Sequence, residues 1–214
     1  MIEGLFIVIE GIDGAGTTTQ TRQLAAALRK RGLPVHDTRE PSDGPIGTMI
    51  RHVLQGRLVV PGVSGVRAPA WTTMALLFAA DRLDHLDAEI VPNLMDGVTV
   101  LSDRYDYSSA AYQAVDGGTD AVAWVRSLNQ RARRPDLTVV LDVPVEIAQR
   151  RVRERSGRPE LYEDAEFQAR LVDFYKQLEQ HFPKDEIVHV DGEKDPDTVH
   201  AAVLRHVDAR RARG

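Results

Sequence analysis

The chain has 214 residues, no cysteine and a formal net charge of −5, with 43% hydrophobic and 28% charged residues. This length suits a single α/β domain with a sizeable core, and the lack of cysteine excludes disulfides, thiolate metal sites and a thiol nucleophile. The acidic balance argues against a nucleic-acid partner, no apolar run approaches the roughly 18 residues that cross a membrane, and the opening MIEGLFIVIEG lacks the features of a signal peptide, so a cytoplasmic protein is expected.

Leu5–Ile9 is a short apolar run rich in β-branched residues and ended by glycines, which predicts a strand. Thr21, Leu24, Ala25 and Leu28 then keep a helical period until Gly32 and Pro34 stop it. Pro34–Thr38 predicts a weaker strand, and Gln55–Pro69, rich in Gly, Pro and Val, reads as a loop. Met74, Leu77, Phe78 and Asp81 to Leu94 predict one long helix ending near Gly97. Val98–Leu101, Leu137–Leu141 and Ile187–Val190 are further strands, with helices over Pro144–Arg155, Glu163–His181 and Asp195–Ala209. Alternating helices and continuously apolar strands imply a parallel sheet covered on both faces. Such a sheet places its functional loops at the carboxyl ends of its strands, where Glu10, Arg39, Asp103 and Asp142 fall.

Gly11 to Thr18, GIDGAGTT, sits between a strand and a helix, the context in which a G-x-x-x-x-G-K-[ST] sequence cradles phosphate. Its backbone N–H groups and the positive helix end form an anion nest. Gly11, Ile12, Asp13, Gly14, Ala15, Gly16, Thr17, Thr18 and Thr19 are therefore candidate ATP-binding residues. The Thr18 hydroxyl occupies the magnesium position. Asp142 could hold that cation through water, with Asp13 and Asp103 competing for the role.

Thr17 stands where the motif calls for lysine. Of the four lysines, Lys30 lies 13 residues further along the same helix, about 20 Å away, and Lys176, Lys184 and Lys194 lie near the C-terminal helices. The replacement cation is thus expected to be arginine or metal. RRVRERSGR supplies candidates: Arg150, Arg151, Arg153, Arg155 and Arg158 against the single acid Glu154. Such a run is usually a solvated face. Beside a phosphate loop without its lysine, Arg153, Arg155 and Arg158 are instead expected to act on the transferring phosphoryl group.

A second set of residues suits a nucleotide acceptor. Arg39, Glu40 and Pro41 end a strand, Arg51 follows, and Phe78 and Arg82 lie four apart on one helix face, where a ring and a guanidinium can hold a planar base. Asp103 and Arg104 open a segment that also carries Ser108, Ser109, Tyr112 and Gln113. Each has a bland alternative: Phe78 as core, Tyr112 as a half-buried helix residue, Arg82 with Asp81 as a surface pair.

FIVIEGIDGAG, TREP, LLFAADR, DRYDYSSAAYQ and PDLTVVLDVPVEIAQRRVRER, in this order, resemble the thymidylate kinases, P-loop enzymes that phosphorylate dTMP. The likeness is weakest at Gln55–Pro69 and beyond about Glu166. The resemblance implies a three-layer P-loop fold over residues 1–214, with a five-stranded parallel sheet and a lid at about 150–163. It also implies a homodimer that makes dTDP from dTMP with ATP and Mg2+, toward dTTP. By position, Phe78 would stack on thymine, Arg82 bond a base carbonyl, Arg51 and Arg104 bind the acceptor phosphate, and Ser109, Tyr112 and Gln113 line base and sugar, with Tyr112 disfavouring a 2′-OH. Asp13 would organise acceptor and metal, while Arg151 and the turn Asp191, Gly192 and Glu193 would serve the donor. Two departures are Thr17 and a lid reading Glu160, Leu161, Tyr162, Glu163 in place of the usual Asp-Arg pair before an aromatic and a Glu. The alternatives are a deoxynucleoside kinase using Glu40 as base and a catalytically silent nucleotide-binding relative.

Overall fold

The computed structural model describes residues 4–63, 65–117, 120–155 and 165–213. Five strands form one all-parallel sheet: β1 (Phe6–Glu10), β2 (Val35–Arg39), β5 (Thr99–Asp103), β6 (Leu137–Asp142) and β7 (Ile187–Asp191), in the order β2-β5-β1-β6-β7. β1 lies at the centre, with Ile7 in register with Leu101 on one side and Leu137 on the other. Every residue of β1 and β5 is buried, as expected of central strands in a sheet covered on both faces. The chain leaves β1 where neighbouring connections diverge, and such a switch point opens a crevice at the strands' carboxyl ends.

Helices α1 (Thr17–Lys30) and α10 (Pro196–Arg211) pack together beside the sheet. A second group in mutual contact comprises α3 (Trp71–His85), α5 (Asp106–Gly117), α6 (Ala121–Leu128) and α8 (Ala165–Tyr175). The remaining helices among the described residues are α2 (Pro45–Leu54), α4 (Val91–Met95), α7 (Val145–Arg155) and α9 (Leu178–His181). The core joins Ile7, Ile9, Leu24 and Leu28 to Val100, Tyr105, Val139 and Val203.

Three sequence expectations change. Gln55–Pro69 is not wholly a loop: β3 (Val60–Gly62) pairs antiparallel with β4 (Gly65–Arg67), a hairpin too short for its alternation to register. The long helix runs to Met95 as expected, but a π turn over Leu86–Ile90 interrupts it, the Val91 N–H bonding the Leu86 carbonyl. Pro92 follows immediately and has no N–H to continue the ordinary ladder. The helix expected over Glu163–His181 is divided by a turn at Lys176 and Gln177 into α8 and α9, and its first residues lie outside those described.

Candidate functional site

Gly11 to Gly16 curl from the end of β1 into α1, with the Ala15 N–H bonded to the Ile12 carbonyl at 3.0 Å. Gly14 has φ +86°, and a Cβ there would meet the Ala148 carbonyl oxygen of α7 at 2.3 Å, so only glycine fits. The first turn of α1 carries no acidic residue and no side-chain cap, which leaves its N–H groups and dipole for an anion. Thr17 is 6% exposed, with its carbonyl accepting from the Thr21 hydroxyl.

The Thr18 hydroxyl donates to Asp103, whose other oxygen, Oδ1, is buried without a hydrogen-bond partner. Asp13 turns instead to Arg104, at 2.7 Å. Asp142 is held by His189 Nδ1 at 2.9 Å, and that bond raises the histidine's pKa. Of the three acids the sequence left open, Asp103 is thus the one at the Thr18 hydroxyl. Two hard oxygens, one of them orphaned, fit Mg2+. No cluster of three His, Asp or Glu among the described residues could hold a metal alone, so phosphate oxygens would complete its shell.

A cavity of about 270 Å³ opens beside the loop. Asp13, Glu40, Pro41, Arg51, Phe78, Arg82, Arg104, Ser109, Tyr112 and Gln113 all line it, joined by Leu54, Gln55, Tyr105 and Ser108. Arg82 is 1% exposed, so the surface-pair alternative does not apply. It donates to Glu40 at 2.5 Å, Asn129 Oδ1 at 2.5 Å and the Ser109 hydroxyl at 3.0 Å, while its Nε has no partner. Burial works against its charge, but Glu40 and Asp106 more than restore it. Gln113 Oε1 is likewise buried and unpartnered.

Arg104 donates to the Gly11 carbonyl at 2.8 Å and to Ser108 Oγ at 3.0 Å. Burial again opposes its charge, and the surrounding Tyr112 and Asp13 reverse the effect. Arg51 bonds the carbonyls of Pro41 and Ser42 and the Thr48 hydroxyl. Arg39 does not line the cavity: it is mostly exposed and pairs with Asp43 at 2.6 Å. Asn129, between α6 and β6, was not anticipated, because nothing local in RSLNQR marks it as Arg82's partner.

On the other side of the loop, a cavity of about 350 Å³ is lined by Ala15, Gly16, Thr19, Arg151, Gly192, Glu193 and Lys194 among others. Arg151 reaches the carbonyls of Ala15 at 3.4 Å and Glu193 at 3.3 Å, while Asp191 Oδ1 takes the Glu193 N–H at 2.9 Å and shapes the turn. Arg153 is exposed on α7. The Arg155 side chain, Arg158 and most of the expected lid lie outside the described residues. The exclusion of lysine needs correcting. Lys194 borders Ala15, Gly16 and Thr19, and Lys176 shares a cavity of about 250 Å³ with Ile12 and Asp142. Chain folding brings to the loop what sequence separation had placed far away.

The thymidylate kinase family model matches residues 9–203. The chain belongs to the thymidylate kinase family. It is 43% identical over 190 residues to "Probable thymidylate kinase" of Thermococcus onnurineus, covering 86% of this chain and 89% of the relative. It is 39% identical over 209 residues to the protein of the same name from Thermococcus kodakarensis, covering 95% and 97%. A third so named, from Pyrobaculum aerophilum, is 38% identical over 201 residues, covering 92% and 93%. The thymidylate kinase match runs from the end of β1 into α10, so both cavities beside the loop lie within it.

Proposed function

We propose that the protein transfers the γ-phosphoryl group of ATP to dTMP, giving ADP and dTDP, as one kinase unit with its lid over about residues 150–163. The observation that carries this reading is the cavity beside the loop, lined by Pro41, Leu54 and Phe78 together with Arg51, Arg82 and Arg104. The Arg82 Nε–H and Gln113 Oε1 are a donor and an acceptor without partners. Both residues line the cavity, and a pyrimidine-dione, with a carbonyl next to a ring N–H, would offer this donor and this acceptor partners. Phe78 supplies a ring for stacking. Arg51 and Arg104 supply charge for a phosphate that a free nucleoside lacks.

The acceptor phosphate is already a nucleophilic anion, so alignment and charge neutralisation suffice and no strong base is required. The loop N–H groups hold the donor phosphates. Thr18 and Asp103, with Asp13 nearby, would hold Mg2+, which supplies positive charge to the phosphate oxygens. Arg153, Arg155 and Arg158 would bring the cation that Thr17 does not, and the Arg151 side would receive the donor base. Glu40, which a deoxynucleoside kinase would need as base, is buried against Arg82, and this favours the monophosphate as acceptor. The reading includes a cytoplasmic homodimer. Exposed Leu76 and Leu83, seven residues apart on α3, support a partner face.

The test is ADP release with dTMP, dUMP and thymidine, with and without Mg2+, and light scattering for the dimer. Turnover with dTMP, none with thymidine and loss on chelation are expected. Tight dTMP binding without any turnover would instead favour a silent relative.

A further inference from the structure

The Glu10 carboxylate is wholly buried at the end of β1, and the reaction proposed above gives it no task. Four donors converge on it. Oε1 accepts from the backbone N–H groups of Tyr105 at 2.8 Å and Ser108 at 3.2 Å, at the start of α5. Oε2 accepts from the hydroxyls of Ser108 at 2.7 Å and Tyr175 at 2.9 Å. A carboxylate at a helix N-terminus is an ordinary stabilising cap, and that is the bland account of Glu10.

Two observations go beyond a cap. Ser108 Oγ, while donating to Glu10, accepts from Arg104 Nη1 at 3.0 Å, so Glu10 reaches the guanidinium through one hydroxyl. Arg104 also has φ 73°, alone among the described non-glycine residues in having a positive φ. Such a backbone is costly for a residue with a Cβ and persists only where its surroundings hold it. Here Glu10 fixes the next N–H along the chain, and Ser102 Oγ fixes the Arg104 carbonyl at 2.7 Å.

We propose that Glu10 is a positioning residue for the acceptor phosphate: through Ser108 it sets the Arg104 guanidinium, and through Tyr175 it ties that guanidinium to α8. This rests on the reading of the cavity as the dTMP site. α8 is the first described helix after the expected lid, so the contact gives acceptor and lid sides a shared anchor. The ionisable groups around Glu10 are Arg104, Tyr112 on α5 and Tyr175 on α8; burial pushes its carboxyl up to about 7, with Arg104 and the hydrogen bonds opposing.

The experiment compares wild type, Glu10→Gln, Ser108→Ala and the double variant by steady-state kinetics with both substrates varied, dTMP calorimetry and thermal melting. Ser108→Ala leaves both backbone N–H bonds and the Tyr175 bond to Glu10 in place, and removes the hydroxyl through which Glu10 reaches Arg104. Each single variant is expected to raise KM for dTMP about tenfold while KM for ATP stays within about twofold, and the double variant to be no worse than the weaker-binding single. Glu10→Gln should also lose the part of the wild-type rise in dTMP KM that appears as pH falls through about 7. If Glu10→Gln does not fold, Ser108→Ala decides alone. A dTMP KM within twofold of wild type in Ser108→Ala overturns the proposal and leaves Glu10 a cap. A wild type that neither binds nor phosphorylates dTMP overturns the assignment of the cavity, and this inference with it.

Discussion

On the acceptor side of the phosphate loop, Arg104 is held by Gly11, Asp13 and Ser108, and Arg82 by Glu40, Asn129 and Ser109. On the donor side, Arg151 makes two long contacts to carbonyl oxygens, and Lys194 is mostly exposed and 3.4 Å from Asp191. One side is preorganised: its cations are fixed by protein groups, with their desolvation offset by Glu40 and Asp13 among others. The other keeps its charges long, solvated and loosely tied. This contrast suits an enzyme that selects its acceptor by fit and completes its donor site by closure, since closure can also keep water from the reactive phosphate. It also gives Thr17 a physical context, because the charges around the second cavity are the loosely held ones.

The contrast between the two sides fails most visibly if none of Arg153, Arg155 and Arg158 matters. Arg153→Ala, Arg155→Ala and Arg158→Ala should include at least one variant whose kcat falls roughly 10²- to 10³-fold while KM for dTMP stays near wild type. Single-turnover kinetics on the three variants, with Lys176→Ala and Lys194→Ala beside them, assigns the cation. If all three arginine variants stay within a few-fold and a lysine variant collapses, the charge comes from the turn after α8 or from the turn after β7.

The acceptor side was the more legible in sequence for a physical reason. Phe78 with Arg82, and Arg104 with Ser108, are fixed by local spacing on one helix or at one strand end, so reading the chain brought them together. What escaped were contacts between distant segments: Asn129 against Arg82, Lys176 beside Ile12, and Tyr175 on Glu10 across 165 positions. The sheet was legible because buried parallel strands are continuously apolar. Arg39 shows the converse: its place at a strand end suggested a substrate contact, yet the next turn offers Asp43, and the guanidinium pairs there instead.

A smaller effect sharpens the claim that the acceptor side carries built-in cost. Burial raises the Glu10 carboxyl from 4.5 to about 7, so between these values the folded protein keeps a proton that the unfolded chain has released. The stabilisation from the neutral form is full below about pH 4.5 and is lost as pH rises through about 7. The loss is roughly 2–4 kcal/mol from a shift of this size. Denaturant unfolding of wild type and Glu10→Gln from pH 4.5 to 8 should show this decline in wild type only. Parallel profiles would mean that the carboxylate is charged throughout and fully compensated by its four donors.

The smallest expected effect concerns Phe78, where the two accounts of one side chain differ in what they let fail. Its ring lines the acceptor cavity but also packs against the small cluster of Ile50, Val53 and Met74 between α2 and α3. If it stacks on the base, Phe78→Ala should weaken dTMP binding by about 1–2 kcal/mol, about five- to thirtyfold, with KM for ATP unchanged. If it is core alone, the same variant should lower the melting temperature and leave dTMP affinity intact once measured on the folded fraction. Phe78→Leu separates the contributions further, since leucine refills most of the packing volume but presents no ring. Near-normal stability with weakened dTMP binding in that variant would place the ring's contribution on the base, and thus mark the apolar wall as part of what the rigid side selects.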